Sequence, residues 1–135
     1  MSGFEGGCRC GAVCDRATAD AFFTGHCHCR DCQYASGGAY APVALVAKAA
    51  LESHGETRAF TVAADSRAQV TRRFCPTCST PLFSEVSANP DVMVVKAGTL
   101  DDPFLLAPSM HIWTASAVPW AETSGTLPSV AGTPR

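Results

Sequence analysis

The sequence predicts a mainly β domain with one or two short helices. Three observations carry that expectation. Segments that alternate in polarity or are rich in β-branched residues recur between Gly, Pro, Asp and Ser punctuation. No window holds a long apolar stripe at the helical period of about 3.6 residues. The chain has 135 residues, enough to bury one core but not two.

Taken in order, the strand signals fall at Asp20–Thr24, Ala39–Val46, Arg58–Ala63, Ala68–Phe74, Leu82–Val86 and Val92–Ala97. Leu82–Val86 begins just after Pro81, which suits the first position of a strand. The helical expectations are Arg30–Ser36 and a turn around Asp102–Leu106. A single domain is expected over residues 1–122. The remainder, 123–135, reads TSGTLPSVAGTPR and is expected to be loosely ordered. No phosphate-binding glycine loop, solenoid repeat or heptad pattern appears.

Composition narrows the function classes. Apolar residues make up 47% and charged residues 16%, with a net charge of −2. That balance offers no basic patch for nucleic acid and no attraction to an anionic membrane. The most apolar run, Ala39–Leu51, is broken by Pro42 and Lys48 and is too short to span a bilayer. The start, MSGFEGGCRCGAV, has neither a basic opening nor an apolar h-region, so a cytoplasmic location is expected.

In a reducing compartment, clustered cysteines bind metal or react more often than they pair. Seven of the eight cysteines fall in three clusters: Cys8/Cys10, Cys27/Cys29/Cys32 and Cys75/Cys78, with Cys14 left over. Two short pairs distant in sequence commonly make one four-sulfur structural zinc site, which assigns Cys8, Cys10, Cys75 and Cys78 to a staple. The stretch GHCHCRDCQ then has three thiols of its own. A three-ligand zinc keeps an open position and suits catalysis, although Cys14, His26 or His28 could close it into a second structural site. His28, lying between two ligands, points away if both neighbours bind.

The ordered blocks GGCRCGAV, GHCHCRDCQ with SGGAYAPV, RRFCPTCSTPLF, KAGTLDDP and HIWTASAVPW resemble the glutathione-dependent formaldehyde-activating enzyme (GFA) family, a domain also found in centromere protein V. The resemblance runs from Gly6 to Trp120. It implies the β-tent (Mss4-like) fold, small antiparallel sheets around zinc. It also implies a structural zinc on Cys8, Cys10, Cys75 and Cys78 and a catalytic zinc on Cys27, Cys29 and Cys32. The implied activity is that of a carbon–sulfur lyase forming S-(hydroxymethyl)glutathione, with glutathione as co-substrate and a small thiol and aldehyde as partners. One departure from the family pattern is Ser79, where Gly usually follows the last cysteine pair.

Glutathione has two carboxylates, for which Arg30, Arg72, Arg73 and Lys96 are the candidate partners. His28 and His111 are candidate proton donors, with His111 read as a packed core residue. Leu105, Leu106, Trp113 and Trp120 read as core, Trp113 with a second reading as a pocket wall. The alternative function is a non-catalytic zinc module that binds a protein partner. Without a basic tail to favour such a partner, the enzyme reading leads.

Overall fold

The computed structural model describes residues 3–64, 66–123, 125 and 127–134. Its strands are β1 (Phe4–Gly7), β2 (Cys14–Ala17), β3 (Phe23–Cys27), β4 (Ala41–Ala47), β5 (Leu51–His54), β6 (Arg58–Ala63), β7 (Gln69–Phe74), β8 (Pro81–Val86), β9 (Val92–Lys96) and β10 (His111–Ile112). The helix α1 spans Arg30–Ser36, as its sequence predicts. Cys29 caps its N-terminus by accepting from the Cys32 N–H, and Gly37 ends it at φ 69°. Around Asp102–Leu106 the chain makes one 3₁₀ turn, Pro103–Leu105.

Among the described residues the strands form two sheets, mainly β as the sequence predicts, and the architecture is the β-tent that the family resemblance implies. The smaller sheet has the order β1-β2-β5, the larger β10-β3-β4-β9-β8-β7-β6. Every pairing is antiparallel except β10 with β3. Period-2 alternation divides the larger sheet into two faces. On one face Val46, Phe83, Met93 and Val95 join Phe4, Val13, Ala17, Cys75, Leu82 and Leu100 in a core shared with the smaller sheet. Full burial of side chains such as Leu82, Val46 and Val95 contributes about 1.5–3 kcal/mol each. On the other face Val43 packs with Cys27, Cys32, Ala41 and Ile112 beside α1.

Four strands lack a clear sequence signal. β1 is FEGG, in which a Cβ on Gly6 would lie 2.6 Å from the Thr99 carbonyl oxygen, so close backbone approach selects the glycine. β2 and β5 are short and polar, and β10 is a two-residue strand that exists through its partner β3. β3 begins and ends later than expected because Gly25 lies inside it. A Cβ there would press on the Phe23 ring at 2.9 Å and the Met110 carbonyl at 3.1 Å.

The core expectations need correction at two positions. Trp120 is 72% exposed and Leu105 is 40% exposed. Both lie in turns outside the ladders, where no opposing sheet face covers them. Leu106 packs against the shared core and Trp113 against the second cluster, as expected. Within the C-terminal stretch, His111 N–H donates to the Pro128 carbonyl at 2.8 Å and Trp113 N–H to the Gly132 carbonyl at 3.1 Å. Val130 N–H in turn donates to the His111 carbonyl at 2.9 Å, so residues 128–132 run beside β10. Residues 124, 126 and 135 lie outside the described residues.

Asp15 on β2 is buried, and neither carboxylate oxygen has a hydrogen-bond partner. Burial, and behind it the charge of Asp101, pushes its carboxyl up to about 6. The unfolded chain releases this proton at the ordinary carboxylate pKa, so stability falls as pH rises from about 4 to about 6 and then levels off. Asp15→Asn is therefore expected to raise stability by on the order of 2 kcal/mol at pH 7.5. The gain shrinks towards pH 4, where the native carboxyl is already protonated. Urea unfolding at the two pH values measures it, and an equal effect at both would contradict the burial of a charge.

Candidate metal centres and the cavity beside them

The structure draws the seven clustered cysteines into two groups. In each, the sulfur atoms lie within 4.8 Å of one another. The first is Cys8, Cys10, Cys75 and Cys78, and the second is Cys27, Cys29 and Cys32. Cys14 belongs to neither, its thiol facing the Gly11 carbonyl at 3.7 Å on the surface.

The first group joins two tight turns. One lies between β1 and β2 and the other between β7 and β8. Cys10 Sγ stands 3.6 Å from Cys8 Sγ and 3.7 Å from Cys75 Sγ. Backbone amides point at the sulfurs: Val13 N–H donates to Cys8 Sγ at 3.2 Å and Thr77 N–H to Cys75 Sγ at 3.4 Å. The Thr80 hydroxyl, 3.1 Å from Cys78 Sγ, holds that thiol down to about 5. Four convergent sulfurs supplied with N–H donors fit a tetrahedral thiolate metal site.

Ser79 closes the second turn at φ 64°, the left-handed region that a Cβ disfavours. Its N–H still donates to the Cys75 carbonyl at 2.9 Å, so the turn keeps its form with serine in the glycine position. Ser79→Gly is expected to stabilise the metal-loaded chain by about 0.5–1 kcal/mol. Thermal unfolding measures this, and a loss of stability would show that the serine side chain holds the turn.

The second group is assembled by the end of β3 and the first turn of α1. Cys29 Sγ accepts from Cys32 N–H at 3.3 Å. Gln33 anchors the helix by donating to the His28 carbonyl at 2.8 Å and the Ser116 carbonyl at 3.0 Å. Hydrogen bonds from Cys27 and Cys29 hold Cys32 well below the usual thiol range, with Lys96 and Arg72 adding to the effect. The same contacts push Cys27 far up. Three thiols this close and this buried cannot all ionise by themselves, and a divalent cation is the group that would let them.

These three cysteines border a cavity of about 570 Å³. Its floor is the face of the larger sheet that turns away from the shared core, with Val43 and Leu45 from β4 and Val92, Val94 and Lys96 from β9. Ser84 and Val86 of β8 and Val70 and Arg72 of β7 complete it. Trp113 forms part of the wall at φ 57°, a left-handed conformation held by its bond to the Gly132 carbonyl. None of the first four cysteines lines the cavity.

The cavity sorts the candidate substrate residues. Arg72 and Lys96 line it, whereas Arg30 and Arg73 do not. Arg73 pairs with Glu85 at 3.0 Å, and Arg30 lies 4.7 Å over the Tyr34 ring and donates to Gln33. Arg72 reaches Ser84 Oγ at 3.4 Å. Lys96 is 9% exposed, and its ammonium has no hydrogen-bond partner. Burial lowers its pKa, while the Cys32 thiol opposes the shift.

His28 and His111 stand behind the cysteines and outside the cavity lining. His28 Nε2 and His111 Nδ1 share a 2.9 Å hydrogen bond, and both rings are buried. His26 packs at a tilt against Tyr40 and His111, and burial lowers its pKa to about 4. These rings pack the junction of β3 and β10, as expected for His111. Sequence reasoning passed over Ser84, Thr133 and Pro134 as cavity residues. The alternation Val92, Val94, Lys96 on one strand face is the signal that marks Lys96 as a charge on an apolar surface.

A β-tent with one four-sulfur centre and one three-sulfur centre opening on a cavity defines a class of small cysteine-centred domains. The model of the family "Glutathione-dependent formaldehyde-activating enzyme" matches residues 3–116. The chain belongs to that family. Among solved structures, it resembles a Rhodobacter sphaeroides protein from a structural-genomics programme, with a TM-score of 0.61 and 19% identity. That likeness covers 93% of this chain and 99% of the other and concerns the fold alone. No curated protein matches the chain at a significant level. Among the described residues, no helix is long and apolar enough to cross a membrane.

Proposed function

We propose that the chain is a cytoplasmic, zinc-dependent carbon–sulfur lyase or synthase acting on a thiol–aldehyde adduct, of the S-(hydroxymethyl)glutathione synthase type. Cys8, Cys10, Cys75 and Cys78 hold one zinc as a staple. Cys27, Cys29 and Cys32 hold the second, and no cysteine serves as a covalent nucleophile. The observation that carries this reading is the opening of the three-sulfur group, and not the four-sulfur group, onto the cavity.

When bound, the second zinc supplies an open position that acidifies a thiol and polarises an aldehyde oxygen. The chain's own residues do the rest. The valines and Leu45 of the floor exclude water, and Trp113 closes one side. Arg72 and Lys96 bring two cations to the cysteine end, where they can pair an anionic group of the thiol and orient it towards the reacting position. There the thiol gives up its proton to water, its sulfur pair forms the C–S bond as the carbonyl π pair moves to oxygen, and that oxygen takes a proton from water to become the hydroxyl. The reverse transfers release aldehyde and thiol.

Zinc analysis combined with a turnover screen over several thiols and aldehydes tests the proposal. The expected result is about two zinc ions per chain and adduct turnover that depends on the second. Full occupancy without turnover of any thiol would refute the enzyme reading in favour of a binding module.

A further inference from the structure

The cations that line the cavity gather at one end. The register pairs Cys27 with Ala41 at the edge of the cysteine centre, and two residues along β4 it pairs Val43 with Lys96. Across the sheet, Arg72 opposes Ser84. In the other direction Leu45 opposes Val94, and Val70 opposes Val86. Beyond them the lining is Ala64, Ser66, Asn89 and Val92. Among the described residues, the charged groups that line the cavity are Asp31, Arg72 and Lys96. Both cations therefore adjoin the thiols, and no described cation serves the far end.

Glutathione fits this distribution poorly. Its two carboxylates and its ammonium lie at the ends of the tripeptide, many bonds from sulfur, and need polar partners there. The far end of this cavity offers valines, a leucine and the neutral side chains of Ser66 and Asn89, and among the described residues no cation to pair a carboxylate. At the near end, the Lys96 ammonium is buried beside the Cys32 thiol without a hydrogen-bond partner, and a ligand anion would supply one. Arg72, tied to the Ser84 hydroxyl, brings a second positive charge to the same anion.

Resting on the enzyme reading above, we propose that the substrate is a thiol with an apolar body and a single carboxylate close to its sulfur. Lys96 and Arg72 form the carboxylate subsite, and Val43, Leu45, Val70, Val86 and Val94 receive the apolar body. The cavity volume, about 570 Å³, lies within the range of roughly 300–1,000 Å³ usual for small-ligand pockets.

Three thiols separate the determinants: 2-mercapto-3-phenylpropanoate carries both, 2-phenylethanethiol lacks the carboxylate, and glutathione carries distant carboxylates. Binding to the zinc-loaded chain is read from Trp113 emission in a Trp120→Phe background, because Trp113 lines the cavity and Trp120 is exposed and does not. The mercapto acid is expected to bind about tenfold more tightly than glutathione. Lys96→Met should weaken it about tenfold and leave 2-phenylethanethiol within about twofold. Arg72→Met should act in the same direction and serves if Lys96→Met does not fold. Equal or tighter binding of glutathione overturns the proposal. So does mercapto-acid binding that neither variant changes, since that would be chelation of zinc alone. Turnover is followed separately: the predicted binding order without turnover upholds the subsite and refutes the enzyme reading. Turnover that prefers glutathione upholds the enzyme reading and overturns the subsite.

Discussion

Cys75→Ser is expected to cost the chain its fold. Cys75 has no exposed surface, lies in the core between the two sheets, and belongs to the four-sulfur group that joins the β1–β2 turn to the β7–β8 turn. Elsewhere the two sheets are linked by a short bridge between Gly6 and Leu100 and by the Asp101 N–H to Glu5 carbonyl bond. Structural zinc in small sites contributes about 10–16 kcal/mol of apparent binding free energy at neutral pH, comparable to or larger than the whole stability of an ordinary domain. Losing one sulfur of four removes much of that, and serine leaves an unsatisfied hydroxyl in an apolar core. Zinc content, far-UV circular dichroism and thermal unfolding together measure the effect. A chelator acting on the unmodified chain should reproduce it. A variant that loses zinc but unfolds at the original temperature would show that the group is no staple.

Cys32→Ser should have the opposite profile, with the fold kept and the activity lost. Its sulfur is buried between β3 and α1, and serine there costs about 1–3 kcal/mol, which the first centre and the shared core can absorb. Cys32 is also the thiol that Cys27, Cys29, Lys96 and Arg72 together hold towards the thiolate, so it anchors the charge balance of the group. Zinc is expected to fall from about two ions to about one per chain. Thiol–aldehyde turnover should fall at least about a thousandfold if the proposed reaction relies on that centre. Metal analysis and adduct formation followed on the same sample make the comparison. Unchanged zinc together with unchanged turnover would remove the three-cysteine group from the mechanism.

The local features were the most legible. Helix α1 is readable to the residue because its cap, its acidic first turn and its closing glycine are all written within one short segment. The three-stranded meander β6–β7–β8 is similarly clear from alternation and turn residues. β1, β2, β5 and β10 were not legible, because short strands with little apolar content owe their existence to partners elsewhere in the chain. Trp120 and Leu105 mislead for a related reason: hydrophobicity says what a residue gains from burial, not whether a neighbour is present to cover it.

For the candidate site, spacing within the sequence was enough to separate the cysteines into a set of four and a set of three. Short-range sulfur spacing is a local property, and the count of ligands follows from it. The sequence offered four cations to the substrate without choosing among them. Arg72 and Arg73 are adjacent, yet the pleat sends the first to the cavity and the second to Glu85 on the opposite face. Lys96 reaches the cysteine end because β9 pairs with β4 in a register that sets it against Val43. Composition, family and the grouping of the cysteines were thus determined by the chain itself. Which charges meet the thiols was decided only by strand register, since a shift of one residue would have turned Lys96 and Arg72 to the other face.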